Sequence, residues 1–463
     1  MTIQRTTMST VEQAIKYFND NQKQMTETYL DLVRIPSVST DPGHHDDMLT
    51  AAQFLSRYLE KLGFERVEIF PTDMHPILFA EKKSTNPDAK TLLVYGHYDV
   101  QPVDPLDEWK SDPFQPEVRD DYVYARGASD MKGQVMASIL ALESVLQTGD
   151  LPINVKFLLE GEEEIGSPSL DGFIESNTDL LSCDMILNPD AGMVGKDQPT
   201  LVYGLRGMSY FEVRVDGPKA DLHSGLWGGN VANPANVLSQ IIAKLHNPDG
   251  TVAIPGFYDR IPALSEEDKL RISTNKLSEE TIMEMTGSPA VFGETGYTPV
   301  ERQGVRPTLD VNGMYAGFIG EGAKTIIPAY AKAKISCRLV PNQDPIEIFN
   351  LAKDFILSIA PDTVRTKIFL HSAGPAYLAD DAPGAQNLVE AMSAVWQTPV
   401  TYKREGGSIP VATVMQRELG VKSLLTGFGL PDDGIHAPNE RMHMPTWLKG
   451  IETLIRFYLS FGG

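Results

Sequence analysis

Acidic and imidazole side chains stand directly after short apolar runs at several places in this sequence. Open α/β sheets place their active sites at the carboxyl ends of strands, so such residues are candidates for catalysis or for binding a cation. Carboxylates and imidazoles are also side chains that hold divalent metals in proteins. These segments are Gly96-His97-Tyr98-Asp99, Arg126-Gly127-Ala128-Ser129-Asp130-Met131-Lys132-Gly133, Glu160-Gly161-Glu162-Glu163-Glu164-Ile165-Gly166-Ser167 and Asn188-Pro189-Asp190-Ala191-Gly192. A further histidine lies in a loop shaped by glycine and proline, Gly434-Ile435-His436-Ala437-Pro438-Asn439-Glu440.

Each of these segments also has a plain structural interpretation. In an extended chain residues i and i+2 share a face, so Asp99 can hydrogen-bond the imidazole of His97. That pairing fixes the tautomer of a metal-bound histidine, but it also suits an ordinary buried histidine. Asp130 precedes a helical pattern, where it could serve as a helix cap. The carboxylates from Glu160 to Glu164 repel one another unless a cation neutralises some of them, or unless they form a solvated loop.

The elements that must position these residues follow from hydrophobic periodicity. Short apolar runs predict buried strands of a largely parallel sheet, and longer runs with helical spacing predict covering helices. The predicted strands are Thr91–Tyr95, Asn154–Leu159, Met185–Leu187 and Lys422–Thr426, and the predicted helices are Val11–Val33, Met131–Leu146 and Trp447–Tyr458.

The pattern changes near Gly204. Tyr210–Asp216 and Ala331–Leu339 alternate strictly between apolar and polar residues, which indicates antiparallel strands with one wet face, and Asp344–Ile359 predicts a helix that covers them. The fold class is therefore α/β: a catalytic domain with a mostly parallel central sheet covered by helices, interrupted by an inserted α+β domain. The predicted boundaries are 1–206 and 381–463 for the catalytic domain and 207–380 for the insertion. Gly287–Thr308 is predicted to be a long loop.

Composition narrows the class of partners. The formal charge is −22, from 62 acidic and 40 basic residues, so nucleic acid and anionic membranes are poor partners. Cys183 and Cys337 are the two cysteines, which excludes a disulfide framework or a thiolate zinc cluster. The sequence has no apolar run of signal-peptide or membrane-spanning length, which predicts a soluble cytoplasmic protein.

Further motifs occur in order along the chain and complete a family pattern. They are Asp221-Leu222-His223-Ser224-Gly225, Gly322-Ala323-Lys324-Thr325-Ile326-Ile327-Pro328, Arg338-Leu339-Val340-Pro341 and Gly406-Gly407-Ser408-Ile409-Pro410. Together with the acidic and imidazole segments, they make the chain resemble the dinuclear zinc aminoacylase and carboxypeptidase family of metallopeptidases. The resemblance is greatest to its dipeptidase branch, which includes cytosolic nonspecific dipeptidases and carnosinases.

The resemblance implies a centre of two divalent cations, with zinc expected and manganese or cobalt as alternatives. His97 and Asp190 would bind one cation, Glu164 and His436 the other, and Asp130 would bridge both. Two cations supply a charge of +4, and three carboxylates with one hydroxide supply −4, so the centre can be partly buried. The resemblance also implies a cis peptide bond between Asp130 and Met131.

The resemblance implies catalytic roles for Asp99 and Glu163, with Glu163 as the general base that helps a metal-bridging hydroxide cut an amide bond. His223 would stabilise the oxyanion from across a homodimer interface, which makes the inserted domain a lid and dimerisation domain. Arg338 would bind the substrate's terminal carboxylate, and Thr325 and Ser408 would contact the substrate. A turn histidine and ordinary structural hydrogen bonds are the alternatives for these residues.

The predicted function is metal-dependent hydrolysis of dipeptides or other short peptides. The shared motifs leave open a deacylase of N-acyl amino acids, such as a desuccinylase or deacetylase. An inactive peptide-binding scaffold is a further alternative. Loss of a ligand or of the base would indicate such a scaffold, but the whole predicted set is present.

Overall fold

The computed structural model describes residues 8–149, 151–407 and 409–461. The chain divides into two compact units. The first consists of Met1–Tyr203, Ala379–Tyr402 and Val411–Gly463, and the second of Gly204–Leu378 and Lys403–Pro410.

The strands are numbered in chain order. They are β1 (Arg66–Phe70), β2 (Ile77–Lys82), β3 (Thr91–His97), β4 (Glu117–Arg119), β5 (Tyr122–Tyr124), β6 (Asn154–Glu160), β7 (Met185–Asn188), β8 (Thr200–Leu205), β9 (Gly207–Asp216), β10 (Leu222–His223), β11 (Thr308–Ala316), β12 (Ile326–Ile327), β13 (Tyr330–Leu339), β14 (Arg365–Gly374), β15 (Tyr377–Leu378), β16 (Thr401–Glu405), β17 (Ser423–Leu425) and β18 (Arg441–His443).

The helices are numbered in the same way. They are α1 (Thr10–Val33), α2 (His45–Lys61), α3 (Gly133–Leu146), α4 (Leu170–Ser176), α5 (Thr178–Leu181), α6 (Ser224–Trp227), α7 (Pro234–Ala243), α8 (Glu266–Ser273), α9 (Glu279–Thr286), α10 (Pro299–Gly304), α11 (Pro345–Ile359), α12 (Ala385–Trp396), α13 (Pro410–Leu419) and α14 (Met444–Leu459). Single turns lie at Pro42–His44, Leu106–Glu108, Ala128–Lys132 and Glu163–Ile165.

The first unit is built on a sheet with the strand order β1-β2-β6-β3-β7-β17-β8. The central strands β6, β3, β7 and β17 run parallel to one another, and β1, β2 and β8 add antiparallel pairs on either side. β3, β6 and β7 are buried over almost their whole length, as expected of parallel strands covered on both faces. The parallel centre brings the carboxyl ends of β6, β3 and β7 to one edge.

Helix α3 is the central helix of this unit. Nearly all of its residues are buried on every side, because it packs against β3 and is in turn covered by α1 and α14. A helix that is apolar all round belongs inside a protein, which explains why its sequence lacks a polar stripe. The buried Trp447 of α14 stacks on Tyr29 of α1 and donates to the carbonyl oxygen of Gly133. The start of α3 is thereby fixed directly behind the Asp130 segment.

The second unit is an antiparallel sheet, β11-β13-β9-β14, with helices α7 and α11 on one face. Phe211, Val213 and Val215 of β9 point into this core beside Ile335 of β13. Burying each such side chain contributes about 1.5–3 kcal/mol. A slip of one residue would turn the whole set towards solvent, so this alternation fixes the register.

The predicted elements form close to their expected bounds, with two local differences. The helix predicted from Met131 begins at Gly133, because Asp130 and Met131 have non-helical backbone angles. Within the predicted loop Gly287–Thr308, the structure forms α10, which has proline at its first position and a reciprocal hydrogen-bonded cap between Thr298 and Glu301. Over the described residues, no helix is long and apolar enough to cross a membrane.

Candidate metal centre

The predicted ligands converge at the carboxyl edge of the parallel strands. His97 is the last residue of β3, and Asp190 follows β7 by two residues. Glu164 lies in the turn after β6. Asp130 and His436 reach the same place from loops that follow β5 and precede β18. All of these residues belong to the first unit.

The side chains form two groups that share Asp130. In one group, His97 Nε2 lies 3.2 Å from Asp130 Oδ1 and 3.9 Å from Asp190 Oδ1. In the other, His436 Nε2 lies 2.9 Å from Asp130 Oδ2 and 3.3 Å from Glu164 Oε2. Within each group, one candidate ligand atom per residue lies within 4.8 Å of the others. The two carboxylate oxygens of Asp130 therefore face different groups.

These separations fit a pair of cations. Two ligand atoms that are each about 2.1 Å from a zinc ion, at a tetrahedral angle, lie about 3.4 Å apart. The distances of 3.2 Å from His97 to Asp130 and 3.3 Å from His436 to Glu164 are close to that value. The 3.9 Å between His97 Nε2 and Asp190 Oδ1 is too long for a hydrogen bond, yet both atoms belong to one group of candidate ligand atoms that lie within 4.8 Å of one another. The donor set is nitrogen and oxygen only, which suits zinc, manganese or cobalt.

The pKa values of the clustered carboxyl groups show which negative charges a bound cation would stabilise. Burial, together with the charge of Asp130, raises the pKa of Glu164 to about 8. Burial likewise raises the pKa of Asp190 well above its ordinary value. Burial also disfavours charge on Asp130, but hydrogen bonds from His436 and His97 outweigh it and hold its pKa below the ordinary value. Burial thus disfavours the ionised forms of Glu164 and Asp190, and a nearby cation would favour them.

Asp99 connects the two halves of the centre without being a candidate ligand. Its Oδ1 lies 3.3 Å from His97 Nδ1, so the expected pairing is present, and its backbone oxygen lies 3.1 Å from the same nitrogen. The carboxylate also accepts the backbone N–H groups of Glu163 at 3.3 Å and Glu164 at 3.0 Å. The fully buried Asp99 carboxylate thus orients one candidate ligand, His97, and fixes the turn that carries another, Glu164.

We expect Asp99→Asn to weaken binding of divalent cations by about 10–100-fold, because outer groups that orient ligands contribute on this scale. The amide would replace one acceptor oxygen with a donor, so either His97 or the Glu163–Glu164 backbone would lose its partner. Zinc titration of the metal-stripped protein by calorimetry measures the effect. Asp73→Asn, at an exposed position, is the control. Equal affinity in both variants would contradict this role.

The three consecutive glutamates after Gly161 have different environments. Glu162 is buried and accepts hydrogen bonds from Thr72, from Ser169 and from the backbone N–H of His75, so it is a structural anchor. Glu164 belongs to the ligand group. The Glu163 carboxylate accepts no hydrogen bond from the described residues. Burial raises the pKa of Glu163, and the charge of His97 partly opposes that rise. Of the three glutamates, Glu163 is therefore the one whose carboxylate is neither anchored by hydrogen bonds from the described residues nor part of a candidate ligand group.

Glu440 is a buried residue to which the sequence assigned no role. Its Oε2 accepts from Arg126 Nη1 at 2.7 Å and from the backbone N–H of Gly127 at 2.9 Å. Its Oε1 accepts from the backbone N–H groups of Ser129 at 2.9 Å and Asp130 at 3.0 Å. A single carboxylate four residues after His436 therefore holds the backbone of the bridging candidate and joins the two loops.

We expect Glu440→Gln to lower the free energy of unfolding by about 3–5 kcal/mol, the usual cost of breaking a buried ion pair from one side. Arg126 would keep its buried charge without the carboxylate, and both side chains are only 1% exposed. Urea unfolding of the full chain measures the change. Glu452→Gln breaks the half-exposed helical pair with Arg456 and should cost less than about 1 kcal/mol. Similar costs for the two variants would contradict this assignment.

The loop that carries His436 has an unusual backbone. His436 and Asn439 both have positive φ values, 61° and 64°, and Gly434 has 67°. Asn439 is tied to the chain around Glu108 and Lys110 by hydrogen bonds through both ends of its amide. The His436 side chain is 53% exposed, whereas that of His97 is fully buried. The two histidine candidates therefore differ strongly in their access to solvent.

Two structural alternatives for the ligand segments are wrong. Asp130 does not cap α3, because the residue before that helix is Lys132, which makes no side-chain capping bond. The glutamate segment is not a solvated loop, since Glu160 and Glu162 are 1% exposed and the Glu164 side chain is 2% exposed. The cis peptide bond expected between Asp130 and Met131 is present.

Three further predicted site residues, His223, Thr325 and Arg338, lie in the second unit. His223 is exposed and pairs with Ile326 across β10 and β12, which brings it close to Thr325. Its Nδ1 accepts the backbone N–H of Gly225, so it does cap a turn, as one interpretation expected. Arg338 lies on the polar face of β13, beside Met208 of β9. Ser408 lies outside the described residues.

Comparison with known proteins identifies the chain's relatives. The model of peptidase family M20/M25/M40 matches residues 93–460, which is most of the chain. The chain belongs to this family. Among individual members, the Cys-Gly metallodipeptidase DUG1 of Candida albicans is 32% identical over 454 residues, covering 93% of each protein. The family and its dipeptidase branch, predicted from the motifs, are confirmed.

Two further members of the M20 family bear on fold and function. The human Beta-Ala-His dipeptidase is 28% identical over 472 residues, covering 97% of this chain and 92% of that protein. The metallo-carboxypeptidase Sso-CP2 from Sulfolobus solfataricus is 34% identical in sequence to this chain. Its crystal structure superposes with a TM-score of 0.83, and the match covers 95% of this chain and 99% of that one. The predicted α/β fold class is thereby confirmed, and the chain is an M20 metallopeptidase.

Proposed function

We propose that this protein is a metal-dependent dipeptidase that uses two divalent cations. The observation that carries the proposal is the pair of ligand groups that share Asp130, with the unengaged Glu163 carboxylate beside them. His97 and Asp190 would hold one cation, and Glu164 and His436 the other. The Cys-Gly and Beta-Ala-His dipeptidases among the relatives support short peptides as the substrate class.

Each part of the site has a defined chemical task. Bound cations would lower the pKa of a water molecule to near neutrality and polarise the carbonyl group of the scissile amide. Glu163 would take the proton of the attacking water and deliver it to the nitrogen of the leaving amine. Its buried setting suits this task, because burial raises the pKa of this carboxyl and so strengthens it as a base. Asp99 keeps His97 oriented throughout.

The second unit would act as a lid and dimerisation domain. His223 would stabilise the oxyanion in the other subunit of a homodimer, Arg338 would bind the substrate's terminal carboxylate, and Thr325 and Ser408 would add substrate contacts. The surface next to His223 supports the dimer: Leu226 is 72% exposed and Trp227 is 48% exposed. Large apolar side chains side by side on a surface are typical of protein interfaces.

Zinc is the proposed metal, with manganese and cobalt as alternatives, because the ligands are imidazole and carboxylate. A cytoplasmic location remains a prediction, and the two free cysteines, Cys183 and Cys337, are consistent with it.

Two other activities use the same centre. A carboxypeptidase is favoured by the identity to Sso-CP2, and a deacylase of N-acyl amino acids requires only that an acyl group replace the first residue. A dipeptidase recognises a free amino terminus, whereas the other two tolerate or require a blocked one. The substrate's amino terminus therefore discriminates among the three activities.

The test is an assay of the full-length protein with added Zn²⁺ or Mn²⁺ on three matched substrates: Cys-Gly, N-acetyl-Cys-Gly and N-acetylcysteine. We expect efficient hydrolysis of Cys-Gly and much slower hydrolysis of the blocked compounds. Preference for N-acetyl-Cys-Gly would replace the proposal with a carboxypeptidase, and preference for N-acetylcysteine with a deacylase. Absence of peptide hydrolysis with either metal would overturn the proposed function.

A further inference from the structure

Among the candidate metal ligands, Gln101 forms hydrogen bonds with Glu164 alone over the described residues. Its amide Nε2 donates to Glu164 Oε2 at 2.7 Å and weakly to the backbone oxygen of Glu164 at 3.4 Å. The same Oε2 atom lies 3.3 Å from His436 Nε2. The amide therefore fixes the carboxylate oxygen that faces the His436 half of the centre.

The backbone on both sides of Gln101 is held in place. Val100 forms a bridge with Val38 and donates its N–H to Ser37 at 2.9 Å. The carbonyl oxygen of Pro102 accepts from the buried Arg126 at 3.0 Å. The half-buried Gln101 side chain thus starts from a fixed point, and only its own torsions must be ordered to make the contact.

The other half of the centre has supports that do not involve Gln101, although Asp99 serves both halves because it also accepts the backbone N–H of Glu164. Asp99 orients His97, and Asn188 Oδ1 accepts the backbone N–H of Asp190 at 2.9 Å. Within the described chain, Gln101 makes no hydrogen bond to His97 or Asp190. The half that Gln101 supports contains His436, whose side chain is 53% exposed. The geometry of His436 therefore depends more on the neighbouring Glu164 carboxylate than that of the buried His97 depends on any one neighbour.

We infer that Gln101 is a positioning residue for the Glu164–His436 half alone and sets the affinity of that cation independently of the other. This inference rests on the proposed function, since it presupposes two bound cations. Without the amide, the Glu164 carboxylate is free to rotate between one-oxygen and two-oxygen coordination, or to turn towards another donor. Groups that orient a ligand in this way typically contribute 10–100-fold to metal affinity.

The first experiment titrates metal-stripped, full-length protein with Zn²⁺ by calorimetry. Wild type should bind two equivalents. Gln101→Met keeps the length of the side chain but removes the donor, so one equivalent should bind as in wild type and the other about 10–100-fold more weakly. Gln115→Met makes the same chemical change at an exposed position and should behave as wild type.

A double-mutant cycle then identifies the affected half. In a His97→Ala background, Gln101→Met should still weaken the remaining equivalent by the same factor. In a His436→Ala background it should have no effect. Equal weakening of both equivalents, no weakening, or an effect that survives in the His436→Ala background would overturn the inference.

Activity provides a readout that a folding defect would not share. If Gln101 acts through metal affinity, saturating Zn²⁺ should restore kcat of Gln101→Met to the wild-type value while the zinc dependence shifts to higher concentration. Failure of zinc to restore kcat would contradict the inference. If wild type itself takes up neither Zn²⁺ nor Mn²⁺, the proposed function fails and the inference falls with it. If wild type and Gln101→Met titrate identically, only the inference fails.

Discussion

Replacement of Glu163 by glutamine is expected to lower kcat for dipeptide hydrolysis on the order of 10³-fold while metal binding is retained. A positioned general base contributes about 10²–10⁴-fold to such reactions, and an amide cannot accept the proton of the attacking water. Metal binding should persist because Glu163 belongs to neither candidate ligand group. The measurement is steady-state kinetics at saturating metal, together with elemental analysis of the same sample.

The shape of Glu163 is preserved in this variant, so the effect separates chemistry from folding. Its backbone N–H still donates to Asp99, which keeps the turn that carries Glu164 in place. Glu60→Gln, an exposed change on α2, is the control for loss of one negative charge. A Glu163→Gln enzyme with normal kcat would remove this residue from the mechanism. Loss of metal together with activity would show that it serves as a ligand instead.

A comparison with Glu162 would sharpen this result. Glu162→Gln alters a buried carboxylate that is held by several donors, so its main effect should be on stability. The neighbouring glutamates therefore offer a natural contrast: one should change turnover and the other unfolding. The run of acidic residues alone could not distinguish them, since in the sequence they differ only by position.

Hydrophobic patterning was sufficient to place the elements that carry the centre. β3, β6 and β7 are short apolar runs bounded by polar residues, and each ends at or just before a candidate ligand segment. Parallel strands necessarily bring such ends to one edge, so convergence of His97, Glu164 and Asp190 follows from local pattern and topology together. Asp130 is different, because its spacing equally suited a helix cap, and only the family resemblance indicated a bridging role.

The supporting residues could not be predicted from spacing. Glu440 and Asp130 are 310 residues apart in sequence, and Gln101 and Glu164 are 63 residues apart, so no periodicity links them. Such pairings exist only once the tertiary fold is formed.

Helix α10 was missed for a different reason. The sequence Thr298-Pro299-Val300-Glu301 at its start is a recognisable capping signal, but it lies in a segment that is otherwise rich in glycine and proline. The composition of the whole segment predicted a loop, whereas the short capping motif within it predicts a helix.

Replacement of Asp130 by asparagine is expected to abolish binding of both cations and to reduce kcat/KM on the order of 10³-fold or more. A carboxylate can offer one anionic oxygen to each cation, whereas an amide offers a single neutral oxygen and turns a donor towards the other side. Loss of the cations removes several kcal/mol of transition-state stabilisation, and each 1.36 kcal/mol corresponds to tenfold in rate. Zinc titration and kinetics measure the two effects.

Unfolding experiments distinguish this loss from simple destabilisation. A cation at 100 times its dissociation constant stabilises the folded protein by about 2.7 kcal/mol per site, so zinc should raise the unfolding midpoint of wild type but not of Asp130→Asn. Asp171→Asn, at an exposed position on α4, should respond to zinc as wild type does. A variant that lost only one equivalent would mean that Asp130 serves a single cation. In that case the two groups would be independent sites, because Asp130 is the one residue that they share.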